Sequence, residues 1–444
     1  MNQAFLDYYR CPESYADFRS VNGTHGEQHV GYFRMGPDLI GYGSTVAQGS
    51  PGVTDSLPDL SSQIKIEGSS CRLPFNPTEI ADNLRYERYS STGRESGWKK
   101  TVRDAYYRVR PALPVSVRRH LQKVWLSRRS KTSFPSWPVD RTVDRMFEAL
   151  MLLSTQAHNN VEIPFIWFWP DGKPSAAIMT HDVETIAGLD FASELMDIND
   201  SFGIKSSFQI IPEERYSAGE NTLSEIRARG FEVNVHDLKH DGHLFDDHQQ
   251  FLQSAVRINQ YAEQFGSKGF RSGVLYRNQS WYGAFSFSYD MSVPNNGYFD
   301  PQAGGCCTVT PYFVGDILEL PVTTIQDYSL FNIVGSYSIE IWKEQVSQIM
   351  AQHGLASFIV HPDYLDSKAA RETYTALLQY LDSLRSSQGL WITLPAEIDT
   401  WWRQRSRMHL VSNNGQWQIE GDGKERARIA YATVVDNALK YRIS

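Results

Sequence analysis

The sequence has few cysteines, no long hydrophobic run and no excess of positive charge. Its 444 residues include four cysteines, none in a C-x-x-C pair, so neither a thiolate zinc site nor a disulfide scaffold is expected. Cys306 and Cys307 are adjacent, and neighbouring cysteines rarely form an unstrained disulfide. No apolar stretch reaches the length of about 18 residues that a transmembrane helix needs. The N-terminal residues also lack the basic and apolar regions of a secretory signal. These absences predict a cytoplasmic protein.

The net charge of −8 argues against nucleic acid as a partner. One segment departs from this acidic balance: residues 98–131 contain eleven Lys or Arg and one acidic residue. Within it, Val117, Leu121, Val124 and Trp125 recur at helical spacing. A basic amphipathic helix can rest on an anionic membrane surface, which would make the protein membrane-peripheral. The interpretation that we favour is a helix that joins two domains, with one buried face and one solvated basic face.

Four zones of different texture follow one another along the chain. Residues 1–97 are rich in Gly, Ser, Pro and Asn and predict short strands and loops. A basic helical connector is expected over 98–160. From 161 to 404 apolar strands alternate with amphipathic helices, which is typical of a parallel β/α domain. Residues 405–444 carry Asn-Gly and Gly-Asp-Gly turns between alternating residues, which predicts a small antiparallel β unit.

Polar residues follow several strands of the alternating zone. T-H-D-V-E occupies 180–184, H-D-L-K-H occupies 236–240, R-S-G occupies 271–273 and H-P-D occupies 361–363. In parallel β/α folds the functional groups collect at the C-terminal ends of the strands. We therefore expect these four motifs to meet at one edge of the sheet.

His236 and His240 are the strongest candidates for metal ligands. Their spacing places both rings on one face of a helix, or lets them converge in a tight turn after a strand. Neutral imidazole suits Zn, Fe, Co or Ni, and two histidines with one carboxylate leave positions open for water and substrate. The H-x-x-x-H spacing alone is a weak signal, because two unrelated surface histidines produce it too.

Taken together, the motifs resemble those of the polysaccharide deacetylase family, also called the NodB-homology or carbohydrate esterase family 4 domain. The chain has T-H-D-V-E, H-D-L-K-H, R-S-G, an Asp within LPVTTIQDYSLF, and I-V-H in the order of that family. The resemblance covers about half of the chain, from 175 to about 400. It implies an α/β fold with a distorted (β/α)7-type barrel, here with an N-terminal mixed extension and a small C-terminal antiparallel β unit.

The resemblance also implies a role for each motif residue. The metal, expected to be Zn with Co, Ni or Fe as alternatives, would be held by Glu184, His236 and His240. The catalytic residues would be Asp182 as general base, Arg271 to hold Asp182 ionised, His361 as general acid, and Asp327 to keep His361 protonated. The implied activity is removal of an acetyl group from an N-acetylated sugar or glycan, including a lipid-linked one.

Two departures from the family pattern leave alternatives open. Glu184 stands where the family usually has Asp, so Asp182 itself is an alternative metal ligand. Gly273 replaces the Pro of the third motif, which predicts a looser loop after it. Tyr276, Arg277 and Asn278 in that loop are candidates for substrate binding, with a surface loop as the alternative. These departures also leave open a catalytically weak carbohydrate-binding or assembly protein, and the same site could hydrolyse a C–N bond in a small non-sugar molecule.

The remaining histidines and tryptophans favour structural interpretations. His181, His243 and His248 are expected to support the site or lie at the surface. The aromatic run Trp167, Phe168 and Trp169 is expected to pack before the first barrel strand rather than to stack on a sugar, and Trp401 and Trp402 are expected in the core.

Overall fold

The structure is a computed structural model that describes residues 2–20, 29–45, 49–90 and 134–444. The predicted basic helix over 98–131, with its Val117, Leu121, Val124 and Trp125, lies outside the described residues. Among the residues that are described, no helix is both long enough and apolar enough to cross a membrane.

The N-terminal part is built of short strands and two helices. The helices are α1 (Gln3–Tyr9) and α2 (Pro77–Arg85). The strands are β1 (Phe18–Ser20), β2 (His29–Arg34), β3 (Ile40–Thr45), β4 (Lys65–Glu67) and β5 (Ser70–Leu73). β2 and β3 form an antiparallel pair, and β5 lies between β1 and β4. The start of α2 is set by Asn76, whose side chain accepts hydrogen bonds from two backbone amides of the first turn.

A helix and a strand lead from this part into the β/α domain. They are α3 (Thr142–Ala157) and β6 (Ile163–Ile166). The predicted C-terminal β unit is present and consists of β16 (His409–Asn413), β17 (Gln416–Glu420), β18 (Ile429–Val435) and β19 (Ala438–Ile443). It is not an isolated unit, because β6 pairs antiparallel with β18 and extends the β18–β19 hairpin.

The central sheet carries the alternating zone. Its strands are β7 (Ala176–Val183), β8 (Ser207–Ile210), β9 (Glu232–His236), β10 (Gly269–Arg271), β11 (Tyr289–Asp290), β12 (Tyr312–Val314), β13 (Ile317–Glu319), β14 (Leu355–Ile359) and β15 (Trp391–Thr393). Their order is β12-β13-β11-β10-β9-β8-β7-β14, with β15 also beside β7, and every pairing except β12 with β13 is parallel. The helices between them are α4 (Ile186–Asp190), α5 (Ala192–Ser201), α6 (Glu220–Ala228), α7 (His248–Phe265), α8 (Glu340–Met350), α9 (Lys368–Gln388) and α10 (Pro395–Arg407).

The sheet curls into a half-barrel, which confirms the predicted distorted barrel. Along its edge strand β14, backbone groups form hydrogen bonds with threonine hydroxyls instead of with the backbone of another strand. The Thr323 hydroxyl donates to the Leu355 carbonyl at 2.7 Å and accepts from the Ser357 amide at 2.8 Å. The Thr324 hydroxyl donates to the Ser357 carbonyl at 2.8 Å. Threonine side chains therefore bridge the place where a regular barrel would have a continuous strand pairing.

Alternate residues of β7 enter different cores, as the period-two geometry of a strand requires. Ala177 and Met179 pack towards the helices of the β/α domain. Ile178 belongs to the second large core, in which α1, α2 and the aromatic run 167–169 also take part. Trp167, Phe168 and Trp169 are buried there, so the prediction that they pack rather than form a sugar platform is confirmed. Trp401 and Trp402 are buried in the same core, as predicted.

Candidate metal centre

The polar motifs meet at one edge of the sheet because their strands are parallel neighbours. β7 carries Asp182 and is followed by Glu184, β9 ends at His236, and β10 ends at Arg271. His361 comes two residues after β14, which lies on the other side of β7. The strand order thus brings together residues that lie up to 179 positions apart in the sequence.

Glu184, His236 and His240 each direct one ligand atom into a common space. These atoms lie within 4.8 Å of one another, close enough for one metal ion to be held by all three. The Nε2 atom of His240 is 3.1 Å from Oε1 of Glu184. The imidazole rings of His236 and His240 are 4.7 Å apart, centre to centre. The structure therefore brings the longer carboxylate of Glu184 to the histidine pair.

The H-D-L-K-H motif forms a tight turn after β9 rather than a helix. Asp237 and His240 both have left-handed backbone conformations, with φ of 57° and 55°, and the reversal returns His240 beside His236. The Asp237 carboxylate stabilises the turn by accepting hydrogen bonds from the amides of Leu238 at 2.6 Å and Gly273 at 2.9 Å. The acid of the motif thus holds the turn that carries the second histidine.

Position 273 requires a residue without a Cβ atom because the turn formed by residues 237–240 approaches it closely. A Cβ atom at position 273 would lie 3.1 Å from Cδ2 of His240 and nearer still to the Asp237 carboxylate. Leu275 and Arg277, which follow, are both buried. The expectation of a looser loop was therefore wrong: glycine here permits tight packing against the histidine turn.

His236 offers a free lone pair to the site. Its Nδ1 lies 3.1 Å from the Arg271 carbonyl, which can only accept, so Nδ1 carries the proton and donates. Its Nε2 is buried, lies 3.7 Å from Asp182, and has no hydrogen-bond partner in the described part of the chain. Burial lowers the pKa of His236 to about 4, so the ring is neutral at pH 7. A buried, neutral nitrogen without a partner fits a metal ligand.

Glu184 is held as a carboxylate. Its burial acts to raise its pKa, but His240, His361 and His236 together hold that pKa well below the usual range. Burial also acts to lower the pKa of His240, but the contact with Glu184 raises that pKa overall. The donor set is one carboxylate and two imidazoles, which suits a first-row divalent ion with open positions.

Asp182 is held ionised by Arg271. The Arg271 Nη1 atom donates to Oδ1 of Asp182 at 2.7 Å and to the Thr180 hydroxyl at 2.7 Å, and its Nε donates to the Met291 carbonyl at 2.9 Å. Burial acts to raise the pKa of Asp182, but Arg271 and the neighbouring histidines lower it below its ordinary value. Asp182 is therefore a carboxylate beside the metal-ligand cluster and able to accept a proton.

His361 is held in the charged form by Asp327. The Nδ1 of His361 donates to Oδ1 of Asp327 at 2.6 Å, and its backbone amide donates to Oδ2 at 2.8 Å. Burial acts to lower the pKa of His361, but Asp327, Glu184 and Asp182 raise it to about 10. Its other nitrogen, Nε2, lies 3.8 Å from Glu184, so the proton that it carries faces the cluster.

The loop after the third motif is tied to the N-terminal part. Arg277 is buried, and its guanidinium donates to the Glu87 carboxylate through Nε at 2.7 Å and through Nη2. This burial is at odds with the prediction that Arg277 binds substrate. The Asn278 side chain accepts from the amide and hydroxyl of Ser280 at the start of a short helical turn. A substrate-binding role for Tyr276 and Asn278 stays a prediction.

The other histidines occupy structural positions. His181 is buried, its Nδ1 donates to the Val360 carbonyl at 2.9 Å, and its Nε2 accepts from Asn199 at 3.1 Å. Burial lowers the pKa of His181 to about 4. His243 is exposed and contacts Asp246 at 2.9 Å, and His248 begins α7 with its ring beside Trp281.

Two residues at the site have contacts that the sequence did not indicate. Asp363 accepts a hydrogen bond from the Glu184 amide at 3.0 Å, and the Tyr364 hydroxyl donates to Oε2 of Glu184 at 3.4 Å. In the sequence, Asp363 and Tyr364 are notable only because they come soon after His361 and the end of β14. That position indicates a place near the site, but it does not indicate contact with Glu184, which lies 179 residues before Asp363.

Comparisons with known proteins find likeness among solved structures. No family model matches the chain, and no curated protein matches it. A structure described as a polysaccharide deacetylase from Mycobacterium smegmatis is 20% identical, with a TM-score of 0.42, and the match covers 54% of this chain and 93% of that one. Puue allantoinase is 14% identical with a TM-score of 0.42, covering 53% and 92%. The peptidoglycan deacetylase PdaC from Bacillus subtilis is 13% identical with a TM-score of 0.32, covering 52% and 95%.

These likenesses concern the fold and cover about half of this chain. The curled sheet, in which every pairing but one is parallel, agrees with the distorted-barrel fold that the sequence resemblance implies.

Proposed function

We propose that this protein is a metal-dependent hydrolase that removes an acetyl group from an N-acetylated sugar or glycan. The observation that supports the proposal best is the convergence of Glu184, His236 and His240 within 4.8 Å, with an ionised Asp182 on one side and a protonated His361 on the other. A structural ion-pair cluster has no need for a buried imidazole nitrogen such as Nε2 of His236, which has no hydrogen-bond partner among the described residues.

The metal would be held by Glu184, His236 and His240. When bound, a divalent ion supplies Lewis acidity towards the amide carbonyl and lowers the pKa of water. Zinc is the expected ion, with Co, Ni or Fe as alternatives that the same donors accept.

The protein's own groups account for the two proton transfers. Asp182, oriented by Arg271, accepts a proton from the attacking water, whose oxygen forms the new bond to the acetyl carbon. The His361 Nε2–H then donates its proton to the sugar nitrogen as the carbon–nitrogen bond breaks, releasing acetate and a free amine. Asp327 holds the opposite side of the His361 ring, so that Nε2 keeps facing the cluster.

The charge states of the two groups favour this assignment. A general base must be unprotonated and a general acid protonated at the start of the same reaction. The lowered pKa of Asp182 and the raised pKa of His361 place both groups in those states at neutral pH. The 3.1 Å contact between Glu184 and His240 supports a working hydrolase over a catalytically weak binding protein, because the Glu184 departure was one of the two motives for that alternative.

The test is acetate release by purified, zinc-loaded protein from a panel of N-acetylhexosamine oligomers and lipid-linked precursors. We expect release from at least one member, reduced about 100-fold or more by Asp182→Asn and by His361→Gln. Activity on cyclic imides or ureides with none on the acetylated sugars would instead assign the site to a small C–N substrate. Inactivity on both sets would contradict the proposal.

A further inference from the structure

We infer that Asp363 and Tyr364 are positioning residues that fix the long side chain of Glu184 as the metal ligand. The inference rests on the proposed function, because it concerns the same metal. Together with His361, these residues contact Glu184 from a single segment, 361–364, at its backbone amide and at both carboxylate oxygens.

Asp363 fixes the backbone at Glu184. Its Oδ2 accepts from the Glu184 amide at 3.0 Å, and its Oδ1 accepts from the Thr185 hydroxyl. The Thr185 hydroxyl in turn accepts from the Gly188 amide at the first turn of α4. Asp363 therefore joins the end of β7 to the start of α4, and Glu184 lies at that junction.

Gly188 provides independent support for this arrangement. A Cβ atom at position 188 would lie 2.7 Å from Cγ of Asp363. Because Gly188 lies in an ordinary helical turn, the approach of Asp363, rather than an unusual backbone conformation, requires glycine there. The Asp363 carboxylate is thus held by hydrogen bonds from Glu184 and Thr185, and Gly188 leaves the space that it occupies.

Tyr364 distinguishes the two carboxylate oxygens of Glu184. Its hydroxyl donates to Oε2 at 3.4 Å, whereas Oε1 lies 3.1 Å from His240 and 3.8 Å from His361. The Tyr364 ring is itself packed, 4.9 Å from the His361 ring and 5.3 Å from the Tyr328 ring. Oε2 is therefore engaged by a restrained phenol, and Oε1 is directed at His240 and His361.

This arrangement compensates for the length of the side chain. Glutamate has one more rotatable bond than aspartate, so it loses more conformational freedom when it binds a metal. Groups that hydrogen-bond to a metal ligand commonly contribute about 10- to 100-fold in metal affinity. The contacts from 361–364 hold Glu184 in its ligand position before the metal arrives.

The experiment measures zinc affinity by competition with a chelator and records the absorption spectrum of the cobalt form. We expect Tyr364→Phe and Asp363→Ala each to weaken zinc binding about tenfold or more and to alter the cobalt spectrum. Tyr337→Phe and Asp366→Ala are matched controls at exposed positions and should bind zinc as the unaltered protein does. If Asp363→Ala does not fold, the isosteric Tyr364→Phe decides.

A double-mutant cycle tests whether Tyr364 acts through Glu184. The shorter carboxylate of Glu184→Asp would not reach the Tyr364 hydroxyl, so adding Tyr364→Phe to it should cost little further affinity. If Tyr364→Phe and Asp363→Ala bind zinc normally while His236→Ala does not, the inference fails and the proposed function stands. If the unaltered protein binds no zinc, both fail.

Discussion

At the scale of single residues, the site depends on close approaches that only certain side chains permit. Gly273 lies under the Asp237 carboxylate, and Asp237 holds the left-handed turn that returns His240 to His236. The residue that departs from the family pattern is therefore part of what positions His240, a proposed metal ligand.

Replacing Gly273 by alanine should weaken metal binding. The added Cβ would collide with the Asp237 carboxylate, so the turn must shift and His240 with it. We expect at least about tenfold weaker zinc binding, together with a loss of about 1–3 kcal/mol in stability from overpacking. Chelator competition and chemical denaturation measure the two effects. Gly283→Ala is the control, because a Cβ atom there meets no neighbour within 4 Å; equal zinc affinities in both variants would contradict the account.

Some residues of the site could be assigned from the sequence alone, and others could not. Asp182 and His236 lie in the last residues of strands and His361 follows one, so the strand-end rule sufficed to bring them together. Our assignment of Glu184 rather than Asp182 as the ligand draws on the contacts of Glu184 with Asp363 and Tyr364. No local pattern links residues so distant in the chain. The contact of Arg277 with Glu87 could not be predicted for the same reason, since the two residues lie 190 positions apart.

At the scale of secondary structure elements, the end of the sheet opposite the metal-ligand cluster carries a partly buried carboxyl group. Glu232 begins β9, its carboxylate accepts from the Tyr289 hydroxyl of β11, and its Oε2 accepts from the Ala396 amide in the first turn of α10 at 3.1 Å. Burial raises the pKa of Glu232 to about 7. The folded state thus favours the protonated acid over a pH range in which the unfolded chain is ionised.

This element-scale feature predicts a pH dependence of stability. Between about pH 4.5 and 7 the folded protein binds a proton at Glu232 that the unfolded chain has released, so the contribution of Glu232 to stability falls as pH rises. Replacing Glu232 by glutamine should remove this dependence, with a difference of about 1–3 kcal/mol between pH 5 and pH 8. Urea denaturation of both proteins at the two pH values measures it. Glu263→Gln, at an exposed position of α7, should behave as the unaltered protein; the same pH profile in Glu232→Gln would disprove the assignment.

At the scale of the whole molecule, the flanking parts share a core with the β/α domain. Arg405 of α10 is buried and donates to the Trp167 carbonyl at 2.9 Å, the Tyr8 carbonyl at 2.8 Å and the Ile166 carbonyl at 2.8 Å. One side chain thus links α1, β6 and the segment before β7. The local composition of the sequence predicted four zones. It gave no indication of the contacts between the described parts of those zones.

Because of this shared core, we expect the protein to unfold in one transition. Arg405→Ala would remove a charged donor from three buried carbonyls, which should cost about 3 kcal/mol or more. The midpoint of the unfolding transition should fall by the same amount whether unfolding is followed by tryptophan fluorescence or by far-ultraviolet circular dichroism. Arg407→Ala, two residues further on and exposed, should leave the midpoint in place. Two separate transitions, with only one of them shifted by Arg405→Ala, would contradict the shared core.

The central claim is that Glu184, His236 and His240 form a metal centre beside a separate base, Asp182. The most direct test is the metal content and zinc affinity of Glu184→Ala compared with Asp182→Asn, measured by elemental analysis and chelator competition. The account predicts that Glu184→Ala loses the metal, whereas Asp182→Asn retains it and loses only activity. Retention of the metal by Glu184→Ala together with its loss from Asp182→Asn would contradict the account.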